Sequence, residues 1–269
     1  MELGISTACY FQKSMIEDTV LDIGAHGVPH CELFLNTISE YQPDFIALLA
    51  DRLAMAGITP YSVHPMSTQY EPQLFSIHPR QRSDALALYE RVLQGARKLG
   101  AKVYVMHGPV HLSGAAKNIS LARLAPIFKV LGDIAAGYGI TLALENVSWC
   151  VFCTPDFGRA LRETLGAGRL KFTLDIKQAM RAGQDPLDFI EAVGPDIVNV
   201  HLCDAVLGQD GRINLRLPGY GAFDFAALRD ALKRQGADCP AFIEVYSDMY
   251  KDTNELYDSY ARMRTIFSS

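Results

Sequence analysis

The sequence predicts an α/β chain folded as a single (β/α)8 TIM barrel over residues 1–269, and three observations point there. Strand-like and helix-like segments alternate along the whole chain with no Pro/Gly/Ser-rich linker between them. The strand-like segments are apolar on both faces, as strands covered by helices must be. Several helix-like segments stop at a glycine directly before the next strand, which fits a left-handed residue ending a helix.

Strands are expected at residues 3–7, 31–35, 59–64, 102–107, 141–145, 171–175, 197–202 and 241–246. Between them, residues 43–56 carry Phe45, Leu48, Leu49 and Leu53 at helical spacing, and 80–99 carry Leu86, Leu88, Val92, Leu93 and Leu99. The same periodicity predicts helices over 121–138, 155–165, 186–193, 223–235 and 254–267. Gly57, Gly100, Gly139 and Gly236 are the expected helix stops. Thr154-Pro155 and Asp185-Pro186 each place a capping side chain before a proline in the first helical turn. A doubly wound open sheet is the rival topology, but it calls for a glycine-rich turn after the first strand, where this chain has Ser6-Thr7-Ala8.

Composition excludes some classes of function. A formal net charge of −5 argues against a surface built for nucleic-acid phosphates, so no nucleic-acid partner is expected. No apolar stretch approaches the roughly 20 residues that span a bilayer. No signal-peptide pattern follows Glu2, so a soluble, cytoplasmic, reducing setting is expected. Cys9, Cys31 and Cys203 lie in or beside apolar runs and read as reduced core residues. Cys150 and Cys153 form a lone C-x-x-C without the second ligand pair that a zinc or redox role would need.

Chemistry concentrates at strand ends. The apolar runs at 140–145, 170–175, 197–201 and 241–244 end on Glu145, Asp175, His201 and Glu244. In a parallel barrel all such ends open on one face. Three carboxylates and an imidazole gathered there repel each other unless a divalent cation sits among them, which makes these four the candidate metal ligands. Taken singly each has an ordinary alternative: a buried ion pair for the glutamates, a helix cap for Asp175, a hydrogen-bonded core histidine for His201. His64 and His107 end the third and fourth strands and are candidates to bind substrate oxygens or a second metal bridged through Glu145. His26, His30, His78 and His111 fall on helix ends or loops and carry no such argument.

These motifs carry a resemblance. LALEN at Glu145, FTLD at Asp175, VHLCD at His201–Asp204, LPGYGAFDF at 217–225 and FIE at Glu244 occur in that order, and the chain resembles the xylose isomerase-like TIM barrel family over essentially its whole length. That group joins sugar phosphate isomerases/epimerases with the AP endonuclease family 2 superfamily. For the epimerase branch the resemblance implies one divalent ion held by Glu145, Asp175, His201 and Glu244, with the two glutamates also serving as acid and base. For the endonuclease branch it implies three zinc ions. The third of those sites lacks its histidine, since Gln178 stands there after Lys177, and residues 218–221 hold no Asp-x-His.

The expected activity is therefore a metal-dependent sugar or sugar phosphate isomerase or epimerase. Glu145 and Glu244 would abstract and return the proton beside a carbonyl, through an enediolate stabilised by the ion. His64, His107, Lys177, Gln178 and Arg216 are candidates for binding substrate, and Trp149, Tyr246 and Phe11 for an apolar wall. Three carboxylates and one imidazole suit Mn²⁺ first, with Mg²⁺, Co²⁺ and Zn²⁺ as alternatives. Relatives often pair, so a homodimer is expected by analogy only. Rival readings are a lyase or dehydratase acting on a keto-sugar or keto-inositol, a zinc phosphodiesterase, and a non-catalytic sugar-binding barrel.

Overall fold

A computed structural model describes residues 1–110 and 120–268. His111, set aside above, lies outside the described residues. The eight predicted strands all form. They are β1 (Leu3–Ser6), β2 (His30–Leu35), β3 (Thr59–Pro65), β4 (Val103–Met106), β5 (Thr141–Glu145), β6 (Lys171–Asp175), β7 (Ile197–Leu202) and β10 (Ala241–Ile243). All pair in parallel and close as β1-β10-β7-β6-β5-β4-β3-β2.

The predicted helices pack around the outside as α2 (Pro43–Ala56), α4 (Pro79–Leu99), α5 (Leu121–Gly137), α6 (Pro155–Leu165), α8 (Pro186–Val193), α9 (Phe225–Arg234) and α10 (Thr253–Phe267). Gly57, Gly100, Gly139 and Gly236 take φ of 66°, 82°, 75° and 71°, the left-handed stops that the spacing predicted. The Thr154 and Asp185 side chains cap α6 and α8. Among the described residues no helix is long and apolar enough to cross a membrane.

Three helices and a two-stranded hairpin go beyond the predicted set. Helix α1 (Ile16–Ala25) buries only Ile16, Thr19, Val20 and Ile23, a stripe too thin to stand out in sequence. Helix α3 (Glu71–Leu74) is a single turn. Helix α7 (Ile176–Arg181) starts directly on the last residue of β6 with no loop to announce it. Strands β8 (Asp204–Leu207) and β9 (Ile213–Arg216) form an antiparallel hairpin outside the barrel, in the long connection between β7 and α9.

The inside of the barrel is filled in levels. Tyr61 on β3 reaches across to donate its hydroxyl to Val198 O on β7 at 2.8 Å, and its ring stacks on Phe242 of β10 at 5.8 Å. A small cluster of Val103, Val105 and Ala143 packs beside them. Phe242 has this space because its register partner is Gly4. A Cβ there would come within 2.6 Å of the Phe242 ring and 2.5 Å of His30 O. Gly4→Ala should cost about 1–3 kcal/mol by overpacking. In a thermal melt it lowers Tm by roughly 2–10 °C; an unchanged Tm would mean that the level can give way. Above this floor the lining turns polar, with Ser6, Glu32, Ser62 and Asn199 fully buried.

Candidate metal centre

Four strand ends meet on the polar side of that floor. Glu145 and Asp175 are the last residues of β5 and β6, His201 is next to last in β7, and Glu244 follows β10 directly. In barrel order they run Glu244, His201, Asp175, Glu145, an arc with a glutamate at each end. None is more than 8% exposed, and one donor atom from each lies within 4.8 Å of the others. The neighbour in the LALEN motif locks the arc. Asn146 donates to Asp175 O at 2.8 Å and accepts from Asp175 N at 2.7 Å, pinning β5 to β6. Asp175 itself does both things considered for it: Oδ1 accepts Gln178 N–H at 2.8 Å and caps α7, while Oδ2 stays in the cluster.

The donor set fits a cation. His201 Nδ1 sits 2.5 Å from Glu244 Oε2, 3.3 Å from Glu145 Oε1 and 3.8 Å from Asp175 Oδ2. Glu145 Oε2, Asp175 Oδ2 and Glu244 Oε2 are buried and, among the described residues, face only the imidazoles and the ammonium of the same crowd, an arrangement that is costly without a further positive partner. One resident cation is already there. Lys177 Nζ, 2% exposed, lies 3.4 Å from Asp175 Oδ2 and 3.2 Å from Glu244 Oε1. Three carboxylates against one ammonium leave the charge that a divalent ion would balance.

The electrostatics follow from this crowding. Burial opposes ionisation of Glu244, yet the charges of His201 and Lys177 outweigh it and bring its carboxyl down to about 2. Burial likewise opposes Glu145, and His107 and His201 hold it well below the usual carboxylate range. Asp175 is raised, because burial dominates the help from Lys177 and His201. Burial pulls His201 down, but Glu244 and Glu32 raise it well above an ordinary imidazole.

His64 and His107 form a second group with Glu145. The two Nε2 atoms are 2.8 Å apart, and they lie 3.6 Å and 2.9 Å from Glu145 Oε2. His107 is held from behind, its Nδ1 2.7 Å from Ser67 Oγ and its backbone N–H donated to Glu71 at 3.0 Å. This trio also has the donor spacing of a metal site and shares Glu145 with the first.

The other sequence candidates are dispersed. Lys177 lies inside the cluster. Gln178 turns away from it, with Oε1 accepting from Ser148 Oγ and N–H at 2.8 and 3.2 Å. Arg216 is exposed on β9 and lines a separate pocket of about 450 Å³ with Arg181, Asn214, Tyr246 and Asp248. Tyr246 joins that pocket to the centre: its ring lies 4.8 Å from Lys177 Nζ, and its hydroxyl accepts from Arg181 at 2.6 Å. Trp149 meets His107 edge-on at 5.3 Å, and Phe11 packs on Phe34, which packs on His64. Neither Cys150 nor Cys153 is in a disulfide, and burial raises both thiols, Cys150 far up, so the C-x-x-C has no thiolate to offer.

Sequence reasoning missed three carboxylates. Glu32, in the middle of β2, is fully buried against both His64 and His201. Its signal was a charge inside an otherwise apolar strand. Glu71 on α3 supports His107 and accepts from Tyr104. Asp204, the last residue of VHLCD, accepts the backbone N–H groups of Ala205, Gly219, Gly221 and Phe223 and so fixes the loop after the hairpin. Gly221 lies too close to that carboxylate to carry a Cβ.

A parallel barrel with carboxylates and histidines at the C-terminal ends of its strands defines a class. The chain belongs to the xylose isomerase-like TIM barrel family, whose family model matches residues 18–266. Among solved structures it is similar to a D-psicose 3-epimerase determined in the presence of D-fructose (17% identity, TM-score 0.77, 100% of both chains covered). It is similar also to an IOLI protein with a binding zinc atom (20%, TM-score 0.80, 100% of this chain and 98% of that one). A third is the apo form of 3-keto-D-glucoside 4-epimerase, YcjR, from E. coli (18%, TM-score 0.76, 98% and 99%). Likeness at these identities establishes the fold. No curated protein sequence matches the chain.

Proposed function

We propose that this chain is a divalent-metal-dependent isomerase or epimerase of open-chain sugars that works by moving a proton beside a carbonyl. The observation that carries the reading is the placing of Glu145 and Glu244. Both are buried and held ionised, they stand at opposite ends of the four-residue arc, and each contributes a carboxylate oxygen to the cluster. Two epimerases among the similar structures support it. When bound by Glu145, Asp175, His201 and Glu244, a divalent ion supplies Lewis acidity at the substrate carbonyl. The hard, oxygen-rich donor set favours Mn²⁺, with Mg²⁺, Co²⁺ or Zn²⁺ as substitutes.

One glutamate removes the proton α to the carbonyl, and the other returns it from the opposite face. Lys177 favours the ionised form of Glu244 and of Asp175 and presents an N–H beside them. Trp149, Tyr246 and Phe11, each more than a third exposed, form the rim against which a sugar face packs. The far end of the substrate reaches the pocket of Arg181 and Arg216. Among the described residues neither guanidinium is paired with a carboxylate, so that pocket suits hydroxyls or an anionic group.

The test is solvent exchange. Protein reloaded with Mn²⁺ is incubated in D₂O with a panel of ketoses, aldoses and sugar phosphates, and NMR is expected to detect deuterium at the carbon beside the carbonyl in at least one of them. A fully metallated protein that exchanges none would sink the reading. The His64–His107–Glu145 trio supports a second reading, a multi-metal phosphodiesterase. Metal content separates the two, since that chemistry needs a third ion at the place Gln178 occupies.

A further inference from the structure

Glu32 sits one level below the arc, and its surroundings resolve into two sets. Three neutral donors point at it: Ser6 Oγ to Oε1 at 3.0 Å, and Ser62 Oγ and Asn199 Nδ2 to Oε2 at 2.8 and 3.0 Å. Two imidazoles face it as well, His201 through Nε2 at 3.0 Å from Oε2 and His64 through Nδ1 at 3.7 Å from Oε1. These five groups come from β1, β3 and β7, so only closure of the barrel brings them onto one carboxylate of β2.

A carboxylate offers about four lone-pair positions, and Ser6, Ser62, Asn199 and His201 already set four donors against them, at least one on each oxygen. Glu32 therefore has no free oxygen to give a cation, although it lies close enough to be mistaken for a ligand. Its side of each ring is also the wrong one. Glu145, Asp175 and Glu244 all face His201 Nδ1, whereas Glu32 faces Nε2. For His64 the relation is mirrored, with Nε2 toward Glu145 and His107 and Nδ1 toward Glu32.

We infer that Glu32 is the positioning residue for His201, holding N–H on Nε2 so that Nδ1, which faces Glu145, Asp175 and Glu244, is the nitrogen left to a cation when one binds; His64 Nδ1, at 3.7 Å, is too far to share that hydrogen bond. Asn199 Nδ2 lies 3.1 Å from His201 Nε2 and on its own would favour a lone pair there. With Nδ1 given to a cation, a second lone pair on Nε2 would face the Glu32 oxygen at 3.0 Å and repel it, so in the loaded protein the one remaining proton sits on Nε2. A hydrogen bond from the far nitrogen of a ligand histidine to a carboxylate fixes the tautomer and makes the near nitrogen a better donor, and losing such a partner costs about 10–100-fold in metal affinity.

The inference rests on the metal reading above, and the experiment separates the two. Calorimetric titration of metal-free wild type with Mn²⁺ is compared with Glu32→Gln, which keeps the shape and removes the charge. The variant is expected to bind about 10–100-fold more weakly with an unchanged circular dichroism spectrum. A ¹H–¹⁵N spectrum of Zn²⁺-loaded wild type reports the tautomers directly, so the inference stays open to refutation even if the variant fails to fold. The expected pattern is a protonated Nε2 on His201. Wild-type affinity in Glu32→Gln, or a proton on His201 Nδ1, overturns the role of Glu32 and leaves the metal reading standing. Wild type that takes up neither Mn²⁺ nor Zn²⁺ overturns both.

Discussion

Glu145→Gln and Glu244→Gln should each slow interconversion of the true substrate by about 10³-fold or more, since loss of a general acid or base alone costs about 10²–10⁴ and each glutamate is also a candidate ligand. The substitution is close to isosteric, so the barrel should survive. Each change removes one anion from a crowd of three. The two variants should not be equivalent. Glu244 is neutralised by Lys177 on one oxygen, whereas Glu145 is held by His201 and approached by His107 and His64. Removing Glu244 leaves Lys177 with Asp175 alone, and removing Glu145 strips the anion from the second trio. If the glutamates act on opposite faces, each variant retains slow exchange from the one epimer whose proton faces the surviving glutamate, while conversion between epimers is lost. The measurement is deuterium wash-in for each epimer separately, with circular dichroism and metal content checked in parallel. Near-normal interconversion in both variants would remove the acid–base assignment.

The barrel was legible because helices cover both sides of its strands. Runs such as LKFTL and IVNV have no solvated face, so a strand reads as an uninterrupted apolar stretch and its end as the first charged residue. That rule found Glu145, Asp175, His201 and Glu244 together. The same rule hid Glu32. It lies inside β2 rather than at its end, and its partners Ser6, Ser62, Asn199 and His201 are scattered through the sequence, joined only by the closed sheet. Side-chain direction was equally unreadable. Lys177 and Gln178 are adjacent on α7, yet one points into the arc and the other to Ser148. A helix turns about 100° per residue, so a one-residue difference decides which side of a wall a group occupies. Asp204 shows the same limit in another form. A carboxylate near the motif histidine resembles a ligand in sequence, but four backbone N–H groups consume it.

The gap in thermal stability between metal-loaded and metal-free protein should widen as pH rises from about 6.5, the unperturbed imidazole value. In the metal-free protein, protonated His64 and His201 offset the buried carboxylates. Burial lowers His64, but the nearby carboxylates of Glu32 and Glu145 raise it to about 9, and His201 is raised as well. A raised folded-state value means that this stabilisation is complete below the unfolded imidazole range and is lost as pH climbs toward 9. The depressed carboxylates behave oppositely, contributing above the ordinary carboxylate range and failing only in strong acid, with Glu244 near 2. They do not titrate in the window and cannot mask the effect. A bound divalent ion replaces the imidazolium protons as the neutralising charge, and because it must displace one from His201, affinity rises about tenfold per pH unit while that proton is held. Mn²⁺ at 100 times its Kd adds about 2.7 kcal/mol, which corresponds to roughly 5–10 °C in Tm for a chain of this size. Melts in Mn²⁺ and in EDTA from pH 6 to 8.5 give both curves, the EDTA curve falling with pH and the Mn²⁺ curve holding. A gap that narrows over this range would mean that protons and metal do not compete for the same imidazole, and His201 would then have to be removed from the ligand set.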